Sequence, residues 1–208
     1  MGFFVVLEGP EGAGKTTLAR TLGDRMRAAG LDPVLVREPG GTTAAEALRA
    51  ELLNGDRQWT PEAELLYIAA ARSDLVAKVI VPALAAGRVV LSDRYDLSTF
   101  AYQVAGRGLP EPSVAWVNRA ATGGLAPDLT LVLDLPFEAG RARQLAGGKA
   151  RDRLDREPPE FHARVGDYYR RAVGDRIVHL DATEPAPGLA DRAWRTLGSA
   201  RPDLFPVG

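Results

Sequence analysis

The run Gly9-Pro10-Glu11-Gly12-Ala13-Gly14-Lys15-Thr16-Thr17 constrains this chain more than any other stretch. It sits between an apolar segment, Phe3 to Leu7, and an amphipathic one. Its pattern is Gly-x-x-x-x-Gly-Lys-Thr, a phosphate-binding loop. Glycines at 9, 12 and 14 permit backbone angles that turn successive N–H groups inward, and the following helix points its positive end at the same spot. Lys15 then supplies a mobile charge for the outer phosphates of an oligophosphate, and Thr16 a hydroxyl for the Mg²⁺ that accompanies them.

Apolar segments of strand length recur along the rest of the chain: Val34 to Val36, Val89 to Leu91, Leu129 to Leu135 and Ile177 to Leu180. Between them lie helical patterns. Leu18, Leu22 and Met26 repeat at helical spacing, Thr42 begins a helix, and Thr60-Pro61-Glu62 combines a hydroxyl cap, Pro in the first turn and an acid. Thr99 to Gln103 and Pro112 to Ala121 read as two short helices around a glycine-rich turn, and Phe161, Val165 and Tyr168 mark another helix. Strands alternating with helices predict an α/β fold of P-loop NTPase type, a five-stranded parallel sheet with helices on both faces. With no repeat and no long linker, residues 1–208 are expected to form a single domain. The basic, glycine-rich stretch at about 146–158 is expected to act as a short lid. Trp116 and Val117 are expected to fill the core.

A formal charge of -1 gives no support to a nucleic-acid polymer or an anionic membrane as partner. Without cysteine there are no disulfides and no thiolate chemistry. No basic leader opens the chain and no apolar run reaches membrane-spanning length, so a soluble cytoplasmic protein is expected.

The third strand ends on Ser92-Asp93-Arg94-Tyr95, and Asp93 there is the expected support for Mg²⁺ opposite Thr16. Arginines gather at predicted strand ends and in the lid: Arg37, Arg72, Arg94, Arg151, Arg153 and Arg156. Such groups suit grips on phosphoryl oxygens under a closing lid. Pro10, Glu11 and Ala13 leave Lys15 as the loop's own cation, so a lid arginine is expected to complete the charge around a transferred phosphoryl. A carboxylate at Glu11, beside a cradle for anions, points to a second ligand next to the nucleotide. Neither Asn-Lys-x-Asp nor Asp-x-x-Gly occurs, which argues against a switch GTPase. A kinase of small molecules is favoured, and a nucleotide-dependent switch stays open as the alternative.

Several segments in order resemble one family: Glu11-Gly12-Ala13-Gly14-Lys15-Thr16-Thr17, Arg37-Glu38-Pro39-Gly40-Gly41, Ala70-Ala71-Arg72, Asp93-Arg94-Tyr95 with Ser98 and Ala101-Tyr102-Gln103, Asp152-Arg153-Leu154, and Asp181-Ala182-Thr183. They look like the bacterial thymidylate kinases, from about Phe3 to Trp194. The resemblance implies ATP-dependent phosphorylation of dTMP to dTDP by a homodimer. It implies that the loop from Gly9 to Thr17 binds ATP, with Lys15, Asp93, Arg94 and Arg153 catalytic and Thr16 and Asp93 serving the metal. Arg141 or Arg143, with Asp181, Ala182 and Thr183, would flank adenine. Arg37 and Arg94 would grip the acceptor phosphate and Glu11 the 3′-hydroxyl. Arg72 and Gln103 would read thymine, with Ser98 nearby, and Tyr102 would crowd out a 2′-hydroxyl. Pro39 would follow a cis peptide. With Ala13 in the loop, the chain resembles the subtype with a basic lid, Arg153 being the arginine expected to reach the transferred phosphoryl. Ile68 stands where the family usually has Phe against thymine, so a related kinase of another base preference is the nearest alternative; Tyr67 is expected to compensate. Asp155 replaces the commoner Glu.

Overall fold

A computed structural model describes residues 2–148 and 152–206. Five strands, β1 (Phe3–Glu8), β2 (Val34–Arg37), β3 (Val89–Asp93), β4 (Leu129–Asp134) and β5 (Ile177–Asp181), form one all-parallel sheet in the order β2-β3-β1-β4-β5. Every residue of β1 is buried, as its uninterrupted apolar run requires of a central strand covered on both faces. Two apolar layers flank the sheet. One holds Val5, Leu7, Leu18, Leu22 and Trp194, the other Phe4, Val6, Leu75 and Ile80. Alternate residues of β1 thus feed opposite layers, and each fully buried Leu or Phe contributes roughly 1.5–3 kcal/mol.

The helices are α1 (Lys15–Ala28), α2 (Thr43–Leu53), α3 (Pro61–Leu75), α4 (Val81–Ala85), α5 (Asp96–Thr99), α6 (Glu111–Thr122), α7 (Phe137–Ala146), α8 (Pro159–Arg171) and α9 (Ala186–Ala200). Thr42 Oγ1 accepts from Ala45 N at the start of α2, and Thr60 Oγ1 from Ala63 N at the start of α3. The cap predicted at Thr60 is formed, and the helix predicted to begin at Thr42 is capped by that residue. Two stretches are π-helical, Val76–Ile80 and Phe100–Gly106. The first leads α3 into α4, so the helix widens ahead of Pro82, which has no N–H to offer. The second continues α5 and carries Tyr102 and Gln103.

Three expectations change. Trp116 is 73% exposed and Val117 only half-buried, because the buried residues of α6 are Val114, Asn118 and Thr122, at four-residue spacing. On α8 the same spacing from Phe161 and Val165 buries Tyr169 and leaves Tyr168 half-covered. Tyr67 packs on Trp59, with ring centroids 4.4 Å apart, and does not line the main cavity described below. No helix among the described residues is long and apolar enough to cross a membrane.

Candidate functional site

Parallel register brings the site together. Leu7 and Arg37 both lie opposite Asp93, and Glu8 lies opposite Val132, so β1, β2 and β3 deliver their following loops to one edge of the sheet. Strand order diverges on either side of β1, which opens a crevice at that edge. A cavity of about 850 Å³ fills it, bounded by the loop from Glu11 to Thr17, by Arg37, Pro39 and Arg49, by Ile68 and Arg72, by Asp93, Arg94, Ser98, Tyr102 and Gln103, and by Arg143, Ala182 and Thr183.

The loop has the conformation its glycines allow. Gly9, Gly12 and Gly14 have φ of 135°, 76° and 92°. At Gly12 a second requirement applies, since a Cβ there would stand 2.3 Å from the Gly140 carbonyl oxygen. The loop's back is pressed against α7 at a glycine on each side.

Lys15 is buried, its Nζ donating to the carbonyls of Gly9 (2.9 Å) and Pro10 (2.7 Å). Burial and the nearby Arg94 push its ammonium from the ordinary 10.5 down to about 8. An oligophosphate in the loop favours the charged form, so binding above pH 8 must take up a proton. ATP affinity is therefore expected to be flat from about pH 6.5 to 7.5, then to fall towards a limit of about tenfold per unit. Calorimetric titrations at pH 8.5 in buffers of different ionisation heat should show proton uptake; none would remove Lys15 as the responding group. Folding has the opposite sign. A depressed lysine penalises the folded state below pH 8, and the penalty lifts as pH rises from about 8 towards 10.5.

Thr16 Oγ1 donates to Asp93 Oδ2 at 2.6 Å. A hydroxyl beside a carboxylate is an oxygen donor pair that suits Mg²⁺, a cation that keeps several waters and takes phosphate oxygens as ligands. The described residues hold no cluster of three or more His, Cys, Asp or Glu side chains suited to a metal. A cation at Thr16 and Asp93 would thus depend on oxygens of the nucleotide and of water.

Arg94 stands beside Lys15, both side chains donating to Gly9 O. Among the described residues it is the one non-glycine with positive φ, 78°. Conformations of this kind cost about 1–3 kcal/mol and persist where surroundings over-determine them. Here Arg94 N donates to Leu7 O at 2.9 Å and Ser92 Oγ to Arg94 O at 2.7 Å. Its guanidinium donates to Glu11, to the hydroxyls of Ser98 (3.0 Å), Tyr169 (3.0 Å) and Tyr102 (3.2 Å), and to Gly9 O (3.3 Å). Beneath it the buried Glu8 accepts from Tyr95 N (2.9 Å), Ser98 N (3.0 Å), Ser98 Oγ (2.6 Å) and Tyr169 Oη (3.1 Å). Burial raises the Glu8 carboxyl, with Arg94 and Ser98 opposing.

Arg72 occupies the floor. Its Nε and Nη2 meet Glu38 Oε2 at 2.7 and 2.6 Å, Nη1 meets Thr99 Oγ1 and Asn118 Oδ1 at 2.7 and 2.5 Å, and Nη2 also meets Tyr95 O at 2.8 Å. Every N–H of the guanidinium thus has a protein partner. The Glu38-Pro39 peptide is cis. Two buried side-chain oxygens have no hydrogen-bond partner among the described residues, Glu38 Oε1 and Gln103 Oε1.

Most residues singled out from sequence line this cavity, but Gly9, Pro10, Arg141, Arg153, Arg156 and Asp181 do not. Arg153 binds Glu64 Oε2 (2.5 Å) and Leu52 O (2.9 Å) instead of lining it. Its charge is satisfied by a buried carboxylate, so the expected reach to a phosphoryl group is not made in this conformation. Arg141 borders a smaller cavity of about 50 Å³ behind the loop, whereas Arg143 lines the main one. Asp181 turns back onto Thr183 N (2.9 Å) and Oγ1 (2.6 Å), leaving Ala182 and Thr183 at the cavity. Arg151, with Lys149 and Ala150, lies outside the described residues. Asp155 is 7% exposed and accepts from Gln144 Nε2 at 2.8 Å, fastening the short 3₁₀ turn Leu154–Arg156 to α7.

Sequence reasoning missed Glu8, Arg49, Glu64 and Tyr169. Arg49 was findable: it lies four residues after buried Ala45 and three before buried Leu52, on the stripe α2 turns inward. Its Nη1 donates to Pro39 O at 2.7 Å. Burial, with Arg37 nearby, lowers its pKa. Three arginines, 37, 49 and 94, therefore line the same cavity as Lys15, and guanidinium groups suit bidentate grips on phosphoryl oxygens.

Comparison with known proteins agrees with this geometry. The family model described as thymidylate kinase matches residues 7–192. The chain belongs to the thymidylate kinase family. A thymidylate kinase of Thermomicrobium roseum is 46% identical over 200 residues, 95% of each chain. One from Synechococcus sp. (strain JA-2-3B'a(2-13)) is 49% identical over 194 residues, 92% of each. One from Pseudomonas putida (strain GB-1) is 50% identical over 187 residues, 88% of this chain and 89% of the relative. The family's P-loop NTPase fold is the parallel five-stranded sheet described above. Family membership makes the chain a phosphotransferase, and the switch alternative falls away.

Proposed function

We propose that this protein transfers the γ-phosphoryl group of ATP to dTMP, giving dTDP and ADP. One observation carries the reading: Lys15, Thr16 and Asp93 line a single cavity together with Arg37, Arg49, Arg94, Tyr102 and Gln103. Donor and acceptor phosphates would meet within it.

In this reading the loop's N–H groups and Lys15 bind the ATP phosphates, with Arg143, Ala182 and Thr183 towards adenine. Thr16 and Asp93 hold Mg²⁺, which when bound offsets phosphate charge. The acceptor oxygen of dTMP is already anionic, so the reaction calls for no strong base. The protein's work is to align the phosphates in line and to stabilise charge as it spreads over the transferred group. Arg37, Arg49 and Arg94 hold the acceptor phosphate. Glu11, oriented by Arg94 and by Tyr102 Oη at 3.3 Å, takes the 3′-hydroxyl, and Tyr102 crowds the 2′ position. Gln103 Oε1 accepts from thymine N3–H, and Arg72 shares one of its Nη1 bonds with a base oxygen, as three-centre bonds allow. Ile68 covers the base face. The segment at about 146–158 serves as the lid of a single catalytic domain, and which of its arginines reaches the phosphoryl group depends on closure.

We also place the protein in the cytoplasm, as suits a nucleotide-metabolic enzyme, and as a homodimer. Leu66 and Trp116 support the dimer: they are 57% and 73% exposed on α3 and α6, which Arg72 and Asn118 tie together.

Coupled ADP release with ATP and Mg²⁺ against dTMP, dUMP, ribothymidine monophosphate, dCMP, dGMP and AMP tests the reading. Preference for dTMP is expected. Preference for another monophosphate would overturn the base assignments, and turnover with none would overturn the reaction. Glu11→Gln is expected to raise KM for dTMP by about tenfold or more while changing that for ATP little; equal effects would remove its sugar role.

A further inference from the structure

The least expected group near the cavity is Glu64, which does not line it but holds Gln103, which does. Glu64 lies on α3 with 1% exposure, and its carboxylate is fully engaged. Oε1 accepts from Gln103 Nε2 (2.9 Å) and Arg107 Nε (3.0 Å), and Oε2 from Arg107 Nη2 (2.9 Å) and Arg153 Nη2 (2.5 Å). Burial alone would raise this carboxyl, but bonds from Arg107, Arg153 and Gln103 outweigh it and hold the group below its ordinary range. Arg107 is steadied in turn by Glu157 at 2.7 Å.

An ionised carboxylate has no proton to donate. The group of Gln103 that faces it must therefore be the NH₂, and the amide oxygen must face the other way. That oxygen is the buried Oε1 left without a partner, on a residue that lines the cavity. A buried acceptor in this state calls for an N–H donor on whatever fills the site.

We infer that Glu64 is a positioning residue for base selection: it locks the Gln103 amide so that a carbonyl, and not an NH₂, meets the base. The inference rests on the proposed dTMP reading and adds to it the source of discrimination. Thymine and uracil carry a hydrogen at ring N3 and satisfy the carbonyl. Cytosine presents a lone pair at the same atom and sets two acceptors against each other. Because the same carboxylate also holds Arg153 at the base of the lid, the lock is complete when that residue is docked.

Glu64→Gln tests this, because an amide at 64 can donate as well as accept and so permits the Gln103 amide to turn over. Steady-state kinetics with dTMP and dCMP are expected to show the ratio of kcat/KM falling by about tenfold or more, through a higher KM for dTMP and an equal or lower one for dCMP, with kcat for dTMP changed less. Glu64→Asp, which keeps an acceptor-only carboxylate, is expected to retain more of the ratio. Parallel loss for both monophosphates in Glu64→Gln would mean support of the fold alone and would overturn the inference. Should that variant fail to fold, calorimetry on the wild-type protein with dTMP and N3-methyl-dTMP decides. A tenfold or greater loss on methylation upholds the acceptor, and equal affinity overturns it. If the wild-type protein neither binds nor phosphorylates dTMP, the functional reading fails first; if it prefers dTMP and Glu64→Gln keeps the preference, this inference fails alone.

Discussion

Lys15→Ala is expected to lower turnover by about 10²-fold or more and to leave the fold intact. Lys15 is the one cation within the loop from Gly9 to Thr17, and in the proposed reaction it meets charge that grows on the transferred group. Stability responds differently. The variant loses two bonds from Nζ to the carbonyls of Gly9 and Pro10, but it also loses an ammonium that burial has driven down to about 8. These terms oppose, so the thermal midpoint at pH 7 is expected to move little. Single-turnover rates and thermal melts on the same preparation check both halves. Activity near that of the wild type would remove Lys15 from the reaction, and loss of the folded state would show that its role is structural.

Arg94→Ala is expected to reduce kcat/KM for dTMP by about 10³-fold or more, and here stability falls too. Arg94 is tied to the loop through Glu11 and Gly9 and to α8 through Tyr169. Removing it leaves Glu8 buried without the charge that most favours its ionised form, which destabilises the folded state. The pH dependence separates this cause from simple loss of packing. A buried Glu8 without Arg94 has its folded-state pKa raised further above the ordinary 4.5, so the folded state binds more protons than the unfolded one. The stability deficit of the variant should therefore shrink as pH falls from 7 towards 5. A deficit independent of pH would exclude Glu8 as its source. Arg94→Lys, which retains a charge but not the fork of donors, should recover stability more than activity.

These two residues differ in how readable they were. Lys15 stands at a fixed place in a short motif whose chemistry follows from local geometry. Apart from the family resemblance, Arg94 was visible as an arginine at a strand end, and its strained backbone and its contacts from Gly9 to Tyr169 depend on chain segments far apart. Glu8 and Glu64 left no usable local signal: an acid closing a strand and an acid in the first turn of a helix both have ordinary reasons to be there. Trp116 misled for a related reason. Apolar residues usually enter the core, and whether one instead stays outside depends on the face its helix turns inward.

From the amino-acid order alone came the phosphate loop, the alternation of strands and helices, the helix cap at Thr60, the parallel sheet, and the grouping of Arg37, Asp93 and Arg94 at strand ends. Each rests on short-range rules of backbone angle, periodicity and hydrogen bonding, which act between neighbours in the chain. Only the folded structure decided the strand order β2-β3-β1-β4-β5, the saturation of Arg72, the diversion of Arg153 to Glu64, and the one unpaired oxygen on Gln103. These depend on which distant groups share one buried space, where each donor must find an acceptor or bear the cost of lacking one.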